Sequence, residues 1–346
     1  TGARDLVLGF PGWDQPGVVG ARGLSALLDL YDAFAGRRLV ILGSGELALQ
    51  TAERARARGL DIVAMVEAGA TPAGDPARIA AIGAPLLLNS VPLKAAGGID
   101  GVEQLTVRNL ADGSDQTLAC DTVVLALGLV PQIELLDAAG ARIVRRAELG
   151  GFVPQTDAEG RTSLTGVRAL GDVTGIAGAD LAYPLAWMAA LMDATSADTI
   201  ICQCEDVTRA DLLDLRPPRY LGEPSPQMRR QSLARLADDG PVNQDQIKRL
   251  TRACMGPCQA RRCREQTAMA MALGTGSALE TIPLAGYRAP VRPLPLKVIG
   301  ETAEQSDLTN NWDVWFGIPE QWVPYDAIGT AEEPDHIAYI AATKYM

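Results

Sequence analysis

Residues 38–67 constrain the fold of this 346-residue chain more than any other stretch. An apolar run from Leu39 to Leu42 enters a glycine turn, a helical stretch reaches about Arg58, and a second apolar run spans Ile62 to Val66. That order is a β-α-β unit, which joins parallel strands by a crossover helix and commits the surrounding region to an α/β architecture. The turn reads Gly43-Ser44-Gly45-Glu46-Leu47-Ala48, the GxGxxA form of the dinucleotide fingerprint. Gly43 permits the tight turn, Gly45 lets a pyrophosphate approach the backbone, and Ala48 keeps helix and strand close. Glu67 ends the second strand 24 residues after Gly43, where an acid can bind a ribose hydroxyl. The unit reads as a dinucleotide site, the alternative being a Rossmann unit whose pocket is degenerate or empty.

Short alternating segments follow, Leu86 to Val91, Val102 to Asn109 and Thr117 to Ala119, with an Asp112-Gly113 turn that suggests an antiparallel meander. A buried strand, Thr122 to Ala126, then runs into Leu127-Gly128-Leu129-Val130-Pro131. Farther on, a strand expected at Val167 to Leu170 leads to Gly171-Asp172, an acid at a strand's carboxyl end, where open α/β sheets place ligands. A small-residue helix is expected from about Gly178 to Ala194. Residues 200–275 change character, with five cysteines, helical periodicity and little strand propensity, and read as a separate small helical domain. Residues 301–346 change again: nine acidic residues face Lys344 alone, no arginine occurs, and Trp312, Trp315 and Trp322 make up three of the five tryptophans. Aromatics with an acidic rim suit a partner surface, and equally a tail packed on its own protein, with a tail derived from another sequence as a third reading.

Charge and composition exclude several classes. A net charge of -11 without a basic patch opposes nucleic-acid binding. The longest apolar run, Leu181 to Met192, has 12 residues and contains Pro184, short of the roughly 18 to 20 that cross a bilayer. The opening Thr1-Gly2-Ala3-Arg4-Asp5 has no signal-peptide pattern, so the expected location is cytoplasmic, with peripheral attachment at the inner face of the cell membrane as a variant; the absent initiator Met reads as the interior of a longer frame. His336 is the single histidine, which removes two-histidine metal and Rieske sites, and no GxSxG elbow exists for a serine nucleophile. No side chain is assigned a catalytic acid-base role. Chemistry rests on cysteines, carboxylates or bound cofactors.

Five of the six cysteines fall in two clusters: Cys202-Gln203-Cys204, and Cys254-Met255-Gly256-Pro257-Cys258 with Cys263. In a cytosolic chain such clustering argues for metal ligation over disulfides. A one-residue spacing is too short for the usual zinc knuckle, and loops at helix ends offer N–H groups to sulfur, so a [2Fe-2S] cluster fits best, ahead of zinc or unligated thiols. Cys202, Cys204, Cys258 and Cys263 are assigned as ligands, with Cys254 a neighbour or substitute. Cys120 reads as a small buried apolar residue. Arg261, Arg262 and Arg264 flank Cys263, either raising a cluster potential, holding a flavin phosphate, or forming a solvated basic helix start.

Across residues 1–298 the sequence resembles the large (α) subunit of multi-subunit FAD-dependent amino-acid and opine dehydrogenases, the group of octopine and nopaline oxidases, D-hydroxyproline dehydrogenase, dye-linked proline dehydrogenase and hydrogen cyanide synthase. The resemblance is carried by Thr1-Gly2-Ala3, Phe10-Pro11-Gly12-Trp13 through Gly17-Val18, the Gly43 turn, Gly128-Leu129-Val130-Pro131, Gly151-Phe152-Val153-Pro154 and Arg161-Thr162-Ser163 to Gly171-Asp172. Its most specific part is Cys202-x-Cys204-Glu205-Asp206-Val207-Thr208 with Thr251 to Gln259 and Cys263, similar to a bacterioferritin-associated-ferredoxin-type [2Fe-2S] domain.

The resemblance implies an α/β, two-dinucleotide-binding (Rossmann-like) flavoprotein fold lacking its first β-α-β unit, a small helical [2Fe-2S] domain and an atypical C-terminal tail. The implied limits are 1–35 and 120–198 for a partial FAD-binding domain, 36–119 for the NAD-like domain, 199–275 for the cluster domain and 276–346 for the tail. It implies FAD shared with a missing upstream segment or another chain, Asp172 at the ribityl chain, and Thr1 and Gly2 near the pyrophosphate, with Gly128 and Gly171 beside them. NAD, ATP and FMN stay open as further nucleotides. The implied role is an electron-transfer subunit with a smaller flavin-containing catalytic partner and a possible further small subunit, oxidising an amino acid, imino acid or opine toward a quinone or other acceptor. Two alternatives stand beside it: an NAD(P)H-dependent flavo-iron-sulfur reductase, and a non-catalytic cluster-bearing scaffold or nucleotide sensor.

Overall fold

The structure is a computed structural model describing residues 2–218, 231–288, 291, 294–301, 303, 305–310, 323 and 325–343. Packing divides the chain into two units, Thr1–Val291 and Arg292–Met346.

The first unit opens with β1 (Ala3–Asp5), β2 (Val18–Gly20) and α1 (Ala21–Asp29). The expected β-α-β unit follows as β3 (Arg38–Leu42), α2 (Glu46–Ala57) and β4 (Asp61–Val66), then α3 (Pro76–Ile82) and β5 (Leu86–Leu87). Asp75 caps α3 by accepting from the Ala77 N–H, and Pro76 suits its first turn, where no donor is needed. The antiparallel meander is β6 (Ser90–Gly98), β7 (Gly101–Asn109) and β8 (Asp115–Ala119), and β9 (Thr122–Leu125) returns to the parallel sheet. That sheet has the order β2-β9-β3-β4-β5, with Val40 opposite both Val123 and Ala64. Its central strands are apolar on both faces, as buried parallel strands are, and Val40, Ile41, Val123 and Val124 are fully buried.

The expected segment Leu86 to Val91 divides: Leu86–Leu87 pairs with β4, and β6 begins at Ser90. Asn89, held at φ 48, makes the break. Next come β10 (Leu129–Pro131), α4 (Glu134–Ala138), β11 (Ile143–Arg146), β12 (Gly151–Pro154) and α5 (Ala182–Ala194). β1 pairs antiparallel with β10, and β11 with β12. Val167 to Leu170 does not form the expected strand: Arg168 makes one isolated bridge to Arg161 and Thr162 bonds Val167, so the segment closes on its own loop instead of joining a ladder. Gly171 to Thr174 is a single 3-10 turn.

The cysteine-bearing region holds β13 (Ile200–Cys202), β14 (Val207–Thr208), α6 (Arg209–Leu213), α7 (Leu233–Asp239), α8 (Gln244–Thr251) and α9 (Arg264–Thr275). The β13–β14 hairpin was not expected; the β-branched residues Ile200, Ile201, Val207 and Thr208 account for it. One buried cluster joins Leu6, Phe10, Val123, Trp187 and Met188 to Leu212, Ile247, Met271 and Ile282, so this region shares a core with the rest of the unit. A second cluster, including Leu39, Ile41, Leu49 and Val124, fills the other face of the parallel sheet.

In the second unit, α10 (Leu296–Gly300), α11 (Ser306–Asn310) and α12 (Glu333–Thr343) are helical. Trp312, Trp315 and Trp322 lie outside the described residues.

Candidate functional site

The two cysteine clusters, with 49 residues of sequence between Cys204 and Cys254, meet in space. Cys202 ends β13; the turn after it, with Asp206 at φ 51, returns the chain to β14. The hairpin is anchored where Thr208 and Asp211 form a capping box at the start of α6. On the other side, α8 ends in a left-handed residue, Arg252 at φ 67, and Cys254 follows at φ 70. Glu205 and Arg252 pair at 2.5 Å, holding one cysteine loop against the other. Gly256 is required by this approach, because a Cβ there would stand 2.5 Å from the Cys204 sulfur.

Cys204 and Cys258 sulfurs are 3.6 Å apart, Cys202 and Cys263 are 3.6 Å apart, and Cys254 is 3.5 Å from Cys263. Cys202 also bonds Cys204, and Cys258 also bonds Cys263, so the four sequence-assigned thiols form a closed ring of contacts. Two sulfurs on one tetrahedral metal with bonds of about 2.3 Å are about 3.8 Å apart, so the donor set suits a thiolate-bound metal centre. Among the described residues no group of three or more His, Cys, Asp or Glu side chains has the arrangement of a ready-made metal-ion site; the sulfurs touch one another instead. Cys202, Cys254 and Cys263 are buried, Cys258 is half-buried and Cys204 is exposed.

Hydrogen bonds from Cys204 and Cys263, with the N–H groups of Arg262 and Ala260, lower the Cys258 thiol to about 2. The bond with Cys204 lowers Cys202, but contact with Cys263 and burial outweigh it and push that thiol up to about 12. The Cys254 N–H also points at the Cys202 sulfur. The ring thus holds four sulfurs side by side, and backbone donors are aimed at two of them.

Arg264, next after Cys263, is 2% exposed and bonds Glu134 at 3.2 Å and Glu265 at 3.1 Å. Arg4 of β1 meets Glu265 at 2.7 Å. Arg264 is therefore not part of a solvated basic helix start: it ties α9 to α4 through Glu134, and its neighbour Glu265 ties α9 to β1 through Arg4. Burial raises Glu265, but the Arg4 and Arg264 guanidinium groups outweigh it and hold the carboxyl below the usual range. Arg262 lies over the Trp13 ring at 5.7 Å, and Arg261 bonds the Cys258 carbonyl at 3.2 Å. Cys120 is buried beside Asp121, with its thiol pushed up to about 11 chiefly by burial, as a packing residue would be.

The Gly43 turn faces a cavity of 530 Å³ lined by Gly45, Glu46, Gly128, Asp180 and Tyr183 among others. Gly43 adopts φ 109, and a Cβ there would meet the Ala126 carbonyl at 2.8 Å; Gly45 has nothing nearer than 4.0 Å. Ala48, on α2, is fully buried, as close helix–strand packing requires. Glu67 is placed differently from its expected role. It is 2% exposed and does not line the cavity. Its oxygens accept from Ser44 Oγ at 2.5 Å, the Tyr183 hydroxyl at 2.7 Å and the Gly69 N–H at 2.9 Å. Tyr183 also accepts the Ser44 N–H at 3.2 Å, and Ser44 Oγ accepts the Ala73 N–H at 2.9 Å. Burial and the Glu67 charge keep the Tyr183 hydroxyl protonated far above its ordinary range.

Gly171, at φ 77, leads to Asp172, which forms an ion pair with Arg22 at the start of α1. Arg22 and Gly23 N–H groups bond Asp5 of β1. Gly2, at φ 117, precedes β1 with open space around its Cα, while Thr1 lies outside the described residues. Asp172 and Gly171 are not among the residues lining the cavity at the Gly43 turn, whereas Gly128 is. Sequence reasoning missed Tyr183, Ser44, Arg22 and the Arg4–Glu134 contact. A lone tyrosine in an otherwise small and apolar helix was the available signal for Tyr183.

Two curated relatives are named as subunits of opine oxidase. One, from Rhizobium meliloti (strain 1021), is 27% identical over 88% of this chain and 75% of its own length. The other, from Agrobacterium tumefaciens (strain Ach5), is 26% identical over 76% of this chain and 60% of its own length. Among solved structures, L-proline dehydrogenase from P. horikoshii aligns with 86% of this chain and 57% of its own at a TM-score of 0.58, with 17% identity, a likeness of fold. The pyridine nucleotide-disulphide oxidoreductase family matches residues 1–195, more than half of the chain. With its parallel sheet, crossover helix and glycine turn in place, the chain belongs to the pyridine nucleotide-disulphide oxidoreductase family and is an oxidoreductase.

Proposed function

We propose that this chain is the electron-transfer subunit of a heteromeric flavin-dependent dehydrogenase that oxidises an amino acid, imino acid or opine. Cys202, Cys204, Cys258 and Cys263 would hold a [2Fe-2S] cluster, and the Gly171-Asp172 turn with Gly2 would contact FAD. The observation that carries the reading is the ring of four thiols built from two distant loops. The relatives named as opine oxidase subunits support the substrate class and the partner chain. A cluster of this type supplies one-electron steps between a two-electron flavin and an acceptor.

The chain's own residues would position and screen that traffic. Buried Cys202 and Cys263 face the protein interior and exposed Cys204 faces solvent, giving the site an inner side and an outer side for donor and acceptor. N–H groups of Cys254, Ala260 and Arg262 offset thiolate charge. The Arg264–Glu134 and Arg4–Glu265 pairs hold α9, and with it Cys263, against α4 and β1. Asp172 is half-exposed, so a ribityl hydroxyl could replace the exposed Arg22 partner without a buried cost.

The NAD(P)H reductase alternative is supported less, because Glu67 is spent on Ser44, Tyr183 and Gly69. A nucleotide at the Gly43 turn would bind by backbone and shape, as in the sensor alternative. The test is anaerobic isolation of the tagged chain with its copurifying subunits, followed by addition of opines, proline and sarcosine. Electron paramagnetic resonance should show a reduced cluster with one substrate class and only in the complex. Full-rate oxidation by the chain alone, or reduction by NADH without substrate, would contradict the proposal.

A further inference from the structure

We infer that Cys254 is a reserve fourth ligand: the site can hold its cluster through Cys202, Cys204, Cys258 and either Cys263 or Cys254. The inference rests on the [2Fe-2S] reading above. Cys254 has its sulfur 3.5 Å from Cys263, as close as the 3.6 Å pairs Cys204–Cys258 and Cys202–Cys263, and Cys254 and Cys263 are each 1% exposed. Its own backbone N–H already points at the Cys202 sulfur, so the residue borders two of the four assigned ligands. The sulfur's other partners are weak ones: Thr267 Oγ1 at 3.7 Å and Gln244 Oε1 at 3.9 Å. Nothing firmer than a thiol-to-oxygen contact has to break for it to turn toward the ring.

Its backbone makes the placement pointed. Cys254 sits at φ 70, a conformation that favours glycine, between Arg252 at φ 67 and the Gly256 cradle of Cys204. A side chain at that position directs a thiol into a buried space already occupied by sulfur. Where Cys263 is replaced, Cys254 would give up its S–H proton to solvent, as every loading thiol does, and its thiolate would stand in the place of the missing ligand. No electron changes hands in that exchange, so no oxidant is needed.

The experiment compares iron and acid-labile sulfide content, visible circular dichroism and the dithionite-reduced resonance spectrum across wild type and its cysteine variants. Wild type and Cys254→Ala should both carry two irons and two sulfides. Cys263→Ala should keep most of that iron with a changed spectrum, and Cys263→Ala combined with Cys254→Ala should lose nearly all of it. Cys202→Ala should lose its iron with Cys254 intact, since Cys254 sulfur neighbours Cys263 and not Cys202. Equal loss in the single Cys263→Ala and the double variant would overturn the inference. Absence of iron from wild type would instead overturn the cluster reading itself. If Cys263→Ala does not fold, Cys263→Ser with and without Cys254→Ser repeats the comparison. Iron retained equally in both serine chains would assign ligation to the serine oxygen and refute the reserve role.

Discussion

The thiol loops and the Gly43 turn use one device, backbone N–H groups presented at loops and helix starts, yet the two regions treat it differently. At the thiols the N–H groups of Cys254, Ala260 and Arg262 are aimed at sulfur. At the turn the Ser44 N–H is taken by Tyr183, the Gly43 N–H by the Val66 carbonyl, and the carboxylate of Glu67 is consumed inside the protein. One region concentrates donors on groups that need a positive partner; the other satisfies itself and leaves only Gly45 and the first turn of α2 open to the cavity. The difference shows that a glycine fingerprint can close a fold while the acid that ends its second strand is bonded inside the protein.

The largest expected effect is at the thiols. Cys202→Ala or Cys258→Ala should reduce bound iron from two per chain to near none while leaving the far-ultraviolet circular dichroism intact; full iron retention in either would dissolve the contrast. Second is the buried ion network that fixes α9. Arg264→Met leaves Glu134 and Glu265 short of their shared partner and should cost about 3 to 5 kcal/mol, read from urea denaturation. The same network gives a pH signature. Because the folded Glu265 value is depressed, its stabilisation is complete above the unfolded value of about 4.3 and is lost as pH falls through the lower native value. Thermal melts from pH 6 downward should show the wild type losing stability below about 4.3, with a shallower slope in Glu265→Gln.

At the turn, Tyr183→Phe removes a hydroxyl that serves both Glu67 and the Ser44 N–H and should cost about 1 to 3 kcal/mol of stability. An unchanged melting temperature would mean that Ser44 and the Gly69 N–H satisfy Glu67 without Tyr183. The smallest effect separates the two fingerprint glycines. Gly43→Ala meets the Ala126 carbonyl at 2.8 Å in a left-handed conformation, whereas a Cβ on Gly45 meets nothing nearer than 4.0 Å. Gly45→Ala should therefore move stability by less than about 0.5 kcal/mol. It should still weaken adenine-nucleotide binding in a calorimetric titration, if the cavity takes one.

The features legible in the sequence were those written in local pattern. The crossover at residues 38–67 and the meander carry their periodicity and turn residues within a few positions, and both formed. The thiol pairing was legible because side-chain chemistry limited which residues could meet. Three features were not legible, one because it closed on its own loop and two because they depended on contacts between distant segments. Val167 to Leu170 has strand composition but gained one bridge, to Arg161. Glu67 sits where a ribose acid should, yet Tyr183, 116 residues away, turns it inward. Arg264 looks like a solvated charge in sequence because its partner Glu134, a carboxylate it shares with Arg4, lies far from it in the chain. Buried charges become intelligible only with their partners, since an unpaired one would not remain in the core.

The central claim is that the thiol ring is a cluster site, and the most direct test is iron and acid-labile sulfide analysis of anaerobically isolated protein, with a resonance spectrum after dithionite reduction. The account predicts two irons, two sulfides and a reduced [2Fe-2S] signal per chain. Stoichiometric zinc without sulfide, or metal-free thiols that alkylate freely in the native protein, would contradict it.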